Sequence, residues 1–384
     1  MTVPFPLTTY TARLNAVAAL LAEQHIDAAV LTPGADLRFL LASDIDTHER
    51  FSALVITPTT RRIVVPAVDA AALRTGVAGA VGVEVVPWND GDDALALAVG
   101  DLADSAATAT VAVSGEMPAN HLLNLQARGL TTVNATAVLR DVFMVKDEAE
   151  IAELRRAGTA IDEVHRQVPG LLRAGRTERE VAEDLEKLIL AEHVTVDFII
   201  VGSGPHGADP HHDFSDRVIG DGEIVVIDIG GTLDTGYHSD CTRTYIVGPV
   251  ESARPDQTEA YRVLHDAQQA GLNAAKPGVT AHELDKVVRD VIDAASYSGF
   301  YTHRTGHGIG LSGHEEPFII AGNDLPLVEG MAFSIEPGIY IPDDWGARIE
   351  DIVVMTTDGC EPVNLTTHDL VPTGATAEDR GVNA

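Results

Sequence analysis

Along residues 11–24, apolar side chains fall at Leu14, Val17, Ala18 and Leu21, a stripe at helical spacing that predicts an amphipathic helix. Short apolar runs of strand length follow at 28–32 (AAVLT), 52–57 (SALVIT), 62–67 (RIVVPA), 83–88 (VEVVPW) and 110–115 (TVAVSG). Helical stretches at 92–103 and 120–128 intervene, so this part of the chain reads as an α/β layer structure with no cluster of reactive side chains. Residues 142–146 (VFMVK) then lead into a charged helix, DEAEIAELRRAG. The boundary is placed there, with one domain over 1–146 and a second over 147–384. The last dozen residues (TGATAEDRGVNA) are small and polar and are expected to fray.

Beyond the boundary the pattern occurs twice, roughly a hundred residues apart. Each copy opens with an amphipathic helix, near 148–172 and near 257–275. A second helix follows, announced by a capping box: Thr177 with Glu180 before VAEDLEKLIL, and Thr280 with Glu283 before LDKVVRDVI. An apolar strand then ends in an acid six residues after a glycine, GEIVVID to Asp228 and GMAFSIE to Glu336. A second acid comes after a turn, Asp240 twelve residues past Asp228 and Glu350 fourteen past Glu336. If each pair lies on antiparallel strands, the turns centre on residues 234 and 343, and each pair of carboxylates sits opposite on one face. An acid in a buried strand is costly unless its charge is compensated, and two together repel, so a divalent cation is the natural partner. One such pair alone reads equally well as a polar hairpin with solvent-facing acids. A second pair in a matching frame counts against coincidence, and two units facing across a pseudo-twofold axis would bring four carboxylates to one point.

Composition changes the picture in two respects. The chain's 384 residues are enough for two domains, and its 45% hydrophobic and 22% charged residues are ordinary for a globular protein. A formal charge of −32 is not ordinary; it repels nucleic acid and anionic membrane and favours a well-solvated surface. Two cysteines, Cys241 and Cys360, indicate no disulfide framework and fit a reducing, cytoplasmic compartment. No basic region followed by an apolar core opens the chain, and no window approaches ~18 uninterrupted apolar residues, so neither a signal peptide nor a membrane span is expected.

Histidines concentrate where the acids are. His211, in GSGPHGADPHH, precedes Asp228 by seventeen residues, and His303, His307 and His314 follow one another at intervals of four and seven. Gly306, Gly308 and Gly310 around His307 suggest a backbone able to approach an ion or substrate closely. One imidazole beside four carboxylates suits a two-metal hydrolase, in which each ion needs several donors. His206 and His212 read as surface residues. Cys241 follows Asp240 on the strand, so it faces away as buried filler.

The set Asp228, Asp240, His307, Glu336 and Glu350 resembles the five-ligand site of the metallopeptidases that share the pita-bread fold. VVIDIGG, SDCTRT, GHGIG, HEEP, SIEPG and RIEDIVV resemble that family's motif blocks in order and spacing, from about residue 147 to 366. The segment before them more weakly resembles the N-terminal domain of the prolidase and aminopeptidase P branch. The resemblance implies an α/β N-terminal domain plus an α+β pita-bread (creatinase/aminopeptidase-like) C-terminal domain with an internal pseudo-twofold repeat. It also implies hydrolysis of Xaa-Pro bonds in small peptides with two divalent ions. Asp240 and Glu350 would bridge them, Asp228 would chelate one, and His307 with Glu336 would complete the other. Glu336 would also shuttle the proton, His211 and His314 would hold the scissile carbonyl, and His303 and Arg348 would orient substrate or site carboxylates. Oxygen-rich ligation favours Mn²⁺ over Co²⁺, Fe²⁺ or Zn²⁺. Related enzymes imply a homodimer in which the N-terminal domain caps the neighbouring site.

The alternatives are an Xaa-Pro aminopeptidase, a metal-free creatinase-like C–N hydrolase and a binding module that has lost its ligands. The complete ligand set counts against the last two, as the HGIG histidine and the duplicated hairpins count against an unrelated two-carboxylate glycosidase. After HEEP the chain continues Phe318-Ile319-Ile320, with no arginine to meet the carboxylate of a dipeptide, which weakens the preferred Xaa-Pro dipeptidase without displacing it.

Overall fold

The computed structural model describes residues 3–103 and 109–374, which group into two compact units, Met1–Phe143 and Met144–Ala384. From residue 375 on, the stretch expected to fray lies outside the described residues.

In the first unit six strands form one sheet: β1 (Ala28–Leu31), β2 (Ala53–Ile56), β3 (Arg61–Pro66), β4 (Glu84–Trp88), β5 (Thr110–Val113) and β6 (Thr131–Asn134). Their spatial order is β4-β3-β2-β1-β5-β6, with β2 antiparallel to both neighbours and the remaining pairs parallel. Every residue of β1 and β2 is buried, which is why these strands read as unbroken apolar runs rather than alternating ones. The opening helix, Leu7–Glu23, buries Leu14, Val17, Ala18 and Leu21, the stripe its spacing announces. Several elements escape the pattern reading, among them the short helices Ala70–Thr75 and Val77–Ala80. Helix Ala35–Leu41 is short, and β6 (TTVN) is an edge strand with mixed exposure. Helix Ala135–Met144 absorbs the start of the apolar run at 142–146, whose period alone does not separate strand from helix.

The second unit carries the repeat. Helices Glu148–Leu171 and Glu178–Glu192 precede β7 (Thr195–Ser203), β8 (Ile224–Thr232) and β9 (Cys241–Val247). Helices Pro255–Ala274 and Ala281–Ala294 precede β10 (Gly306–Gly308), β11 (Glu315–Ile319), β12 (Ala332–Ile335), β13 (Gly338–Ile341), β14 (Trp345–Arg348), β15 (Asp351–Met355), β16 (Cys360–Pro362) and β17 (Val371–Thr373). Both capping boxes form. Thr177 Oγ1 accepts from Glu180 N at 3.1 Å while Glu180 accepts from Thr177 N at 2.9 Å, and Thr280 with Glu283 repeats both distances. Asp147 and Glu150 make a third box at the start of the boundary helix.

Strands β17-β9-β8-β7 form one sheet and β11-β10-β12-β15-β16 another, with β13 and β14 as a separate pair. The first helix pair buries Val164, Val181, Leu185 and Ile189 against Val201, Ile227 and Ile229 of its sheet. The second pair packs Leu264, Val288 and Ile292 against Ile339, Ala347 and Ile349. A single antiparallel bridge, Thr242 with Glu350, joins the two hairpins at the residues that matter chemically.

Candidate metal centre

The first hairpin differs from the simple expectation. Asp228 lies opposite Thr242, not Asp240, so the register centres on residue 235. The turn closes from Leu233 to Tyr237, where Leu233 N donates to Tyr237 O at 2.8 Å and Gly236 adopts a φ of 89°, open to glycine at no steric cost. Asp240 becomes a diagonal neighbour of Asp228. The offset is two residues, so both carboxylates stay on one face. In the second hairpin Ile335 pairs with Asp351 and Gly338 with Arg348, a register centred on residue 343, as the acid spacing predicts. Glu336 and Glu350 sit between those pairs and leave the ladder. Glu336 N donates to Thr305 O at 2.8 Å and Glu350 N to Thr242 O at 3.2 Å, so the second hairpin is tied across to the first.

This brings the expected donors together. Carboxylate oxygens of Asp228, Asp240 and Glu350 lie within 4.8 Å of one another, as do donors of His307, Glu336 and Glu350. His307 Nε2 is 3.7 Å from Asp240 and 3.4 Å from Glu336. His307 Nδ1 donates to Gly308 O at 3.0 Å, which fixes the tautomer and leaves Nε2 as the nitrogen able to hold a cation. Burial pushes His307 down to about 3, so the ring is neutral, the form a cation requires. Burial, reinforced by the neighbouring carboxylates, pushes Asp240 and Glu350 well up from the usual carboxylate range. Burial likewise raises Glu336 to about 7; the charge of Asp228 adds to this, while Arg348 opposes it. Asp228 Oδ1 is buried and finds no hydrogen-bond partner among the described residues. Mutually repelling acids, a neutral imidazole and an orphaned carboxylate oxygen are what a divalent-cation site needs, and these residues fit one.

Around this cluster Arg348 is buried and committed. Its Nη2 donates to Asp228 Oδ2 at 2.6 Å, its Nη1 to Tyr340 OH at 2.8 Å and to Pro210 O at 3.3 Å, and its Nε to Thr242 Oγ1 at 3.1 Å. Of the two roles expected for it, the geometry supports orienting site carboxylates. His303 Nε2 shares a 2.8 Å hydrogen bond with Tyr340 OH, and its Nδ1 lies 2.8 Å from Arg304 O and 3.8 Å from Glu336. The His314 ring lies against His307 at a tilt of 38°, ring centroids 3.8 Å apart, and groups with it and Asp240. His211 stands exposed on the turn after the Gly204–Ala208 helix, its N–H donating to Asp209 at 3.0 Å. No direct contact of His211 with the carboxylates is seen among the described residues.

The pattern reading missed several participants. Thr242 Oγ1 donates to Glu350 Oε2 at 2.6 Å, and Tyr340 links His303 to Arg348. Thr242 lies two residues past Asp240 on the same strand face, a signal the spacing carried; nothing local marks Tyr340. His206 and His212 are not free surface side chains. Both turn onto Glu178, which is fully buried: His206 Nδ1 and His212 Nε2 each lie 3.0 Å from its Oε2. The N–H and hydroxyl of Ser203 and of Ser215 donate to the same carboxylate. Burial alone would raise Glu178, but these hydrogen bonds outweigh it and hold it at about 2. The glycines beside His307 serve the fold rather than an ion. A Cβ on Gly306 would run into Ser334 O and one on Gly308 into Glu316 O, so they let β10 pass close to its neighbours.

Comparison with known proteins gives a consistent set. The Creatinase/Prolidase N-terminal domain family matches residues 13–145, and metallopeptidase family M24 matches residues 152–357. The probable dipeptidase PepE of Mycobacterium tuberculosis (strain ATCC 25618 / H37Rv) is 51% identical over 370 residues, spanning 96% of this chain and 97% of that protein. The Xaa-Pro dipeptidase of Lactobacillus delbrueckii subsp. lactis is 44% identical over 233 residues, 60% of this chain and 62% of that protein. Among solved structures, dipeptidase PepE from Mycobacterium ulcerans superposes with a TM-score of 0.91 at 50% identity, covering 96% of this chain and 99% of that one.

Proposed function

This chain belongs to metallopeptidase family M24, and we propose that it is an Xaa-Pro dipeptidase whose two divalent cations are held by Asp228, Asp240, His307, Glu336 and Glu350. That it is an enzyme, a peptidase, follows from the family, whose members use a dinuclear divalent metal centre. The observation that carries the reading is the convergence of four carboxylates and one neutral imidazole, with Asp228 Oδ1 left unpartnered among the described residues. Four carboxylates and one nitrogen donor make Mn²⁺ the expected occupant, with Co²⁺, Fe²⁺ and Zn²⁺ as alternatives. When bound, the ions supply a water nucleophile at neutral pH and stabilise developing negative charge.

The chain's own residues do the rest. Glu336, with a pKa near 7 and 3.4 Å from His307, takes the proton released as water attacks the scissile carbonyl carbon. It returns that proton to the proline nitrogen as the C–N bond breaks. This return matters because the leaving group, a secondary amine, has no proton of its own in the tertiary amide. His314 and His211 hold the carbonyl oxygen by hydrogen bonds from their rings. Burial lowers His314, and the charge of Arg304 lowers it further. Arg348 and Tyr340 keep Asp228 and His303 aimed at the same point.

The Xaa-Pro specificity is supported by the similarity to a named Xaa-Pro dipeptidase, and dipeptide selection by the similarity to a protein named probable dipeptidase PepE. We also propose a cytoplasmic homodimer. Cys241 and Cys360 are free, and no helix among the described residues is long and apolar enough to cross a membrane. Dialysis against a chelator is expected to abolish cleavage of an Xaa-Pro dipeptide, and Mn²⁺ to restore it. Full activity in metal-free protein would sink the five-ligand reading. Faster cleavage of a tripeptide Xaa-Pro-Yaa than of Xaa-Pro would move the assignment to an Xaa-Pro aminopeptidase.

A further inference from the structure

Most arginines on the elements around the candidate centre are already held by an acid: Arg348 binds Asp228 at 2.6 Å, Arg289 binds Asp285 at 2.8 Å and Arg243 binds Asp351 at 2.7 Å. Arg304 is not. It is half-buried beside His303, its Nη2 lies 3.2 Å from His314 Nδ1, and it makes no ion pair among the described residues. In a chain with 58 acidic and 26 basic residues, a guanidinium at a site of carboxylates that none of them has captured is unusual. Its carbon lies 4.7 Å from the centroid of the Phe318 ring. Stacking of this kind carries the flat face of a guanidinium and leaves its N–H edges directed outward in a fixed plane. Its charge is felt in the centre, where it opposes the rise of Glu336 and adds to the lowering of His314 and His307.

We propose that Arg304 binds the free α-carboxylate of a dipeptide substrate and so makes the enzyme select dipeptides over longer chains. This rests on the Xaa-Pro peptidase reading and sharpens it. The reach is right. The carboxylate carbon of a dipeptide is three bonds from the scissile carbonyl carbon, within about 3.8 Å, the length of one residue step. A carbonyl held at His314 therefore puts the carboxylate beside the guanidinium that touches His314. A carboxylate offers two charged acceptors to a planar fork of donors, the geometry that gives the strong bidentate pair. The amide that replaces it in a longer peptide offers one neutral acceptor and leaves Arg304 half-buried and uncompensated. Arg304 packs on Phe318, the residue after Pro317, and so supplies the cation that the residues after Pro317 lack.

The test compares Leu-Pro, Leu-Pro-amide and Leu-Pro-Gly on Mn²⁺-loaded wild type, Arg304→Met and Arg304→Lys. Wild type should favour Leu-Pro over its amide. Arg304→Met should lose about 10–100-fold more kcat/KM on Leu-Pro than on the amide, the scale of one hydrogen bond to a charged group, mostly through KM. Arg304→Lys, which keeps the charge without the fork, should recover part of that loss and shows that the fold tolerates change there. Equal losses on Leu-Pro and its amide, or no loss on Leu-Pro, would overturn the assignment. Wild type that cleaves none of the three would instead remove the Xaa-Pro reading itself, and this inference with it.

Discussion

On the proposed reading Glu336 is both a metal ligand and the proton carrier, and it sits 3.4 Å from His307 Nε2 and 3.1 Å from the Ser334 hydroxyl that donates to it. Glu336→Gln keeps the shape but removes a charged ligand and the proton carrier, and turnover should fall by ~10³-fold, within the range that proton shuttling commands. A variant keeping a tenth of wild-type activity would place the shuttle elsewhere. The same residue marks a pH linkage. Burial raises Glu336 to about 7 from its ordinary value of 4.5, and Asp240 and Glu350 are raised too, so the metal-free centre holds protons near neutrality that a cation must displace. A raised carboxylate costs nothing below its unfolded value and its full amount above its folded one. The metal-free fold should therefore gain stability as pH falls from above about 7 toward about 4.5, while metal affinity moves the opposite way. Calorimetric metal titrations in two buffers of different ionisation heat should detect protons released on binding, fewer in Glu336→Gln. Binding without proton release would contradict these shifts.

At the scale of elements, Glu178 is the first residue of its helix and fixes the segment from Ser203 to Ser215 that carries His211. Its carboxylate takes hydrogen bonds from both ends of that segment, and at about 2 its pKa lies below the ordinary 4.5. Burial works against the charge, and the donors from Ser203, Ser215 and His212 more than offset it. The stabilisation is therefore present above about 4.5 and is lost as pH falls toward about 2. Glu178→Gln puts an amide NH₂ among donors and should destabilise the protein by about 1–3 kcal/mol, the cost of a buried polar group left without a partner. Denaturant melts at pH 7 and pH 3 should show the variant's deficit shrinking at the lower pH. An equal deficit at both would mean that the charge is not what holds the segment.

For the whole molecule the dominant quantity is the charge of −32. Surface pairs such as Arg262 with Glu259 and Lys286 with Asp290 are exposed and contribute little each. Long-range repulsion among 58 acids over 26 bases should outweigh them. Raising salt from about 0.05 to about 0.5 M shortens the screening length severalfold and should raise the melting temperature of the metal-free protein. A fall would show that surface pairs, not repulsion, govern its stability.

Helix stripes, capping boxes, strand runs and the doubled acid pattern were legible because each rests on contacts within a few residues. Thr177 with Glu180 and Thr280 with Glu283 close over one turn, and the alternation along β8 assigns one face to Asp228 whatever lies beyond it. The motif blocks and their order carried the family and the five donors, and comparison with known proteins bears the family out. What depended on the turn's backbone was less secure: the turn around Gly236 is centred one residue later than expected, so the pairing is offset by two and Asp228 came to face Thr242. The remainder depended on packing. The Thr242–Glu350 bridge spans 108 residues, Tyr340 meets His303 and Arg348 only where β13 and β14 turn inward, and His206 and His212 close on Glu178 across a helix start. Among the described residues Arg304 pairs with no acid, and the fold places the Phe318 ring under it. Spacing along the chain sets the face on which a side chain emerges. Which side chain it meets is decided by tertiary packing, between the two halves of the repeat for Thr242 with Glu350 and within one half for the others, since those partners lie too far apart in sequence for any local hydrogen bond to select them.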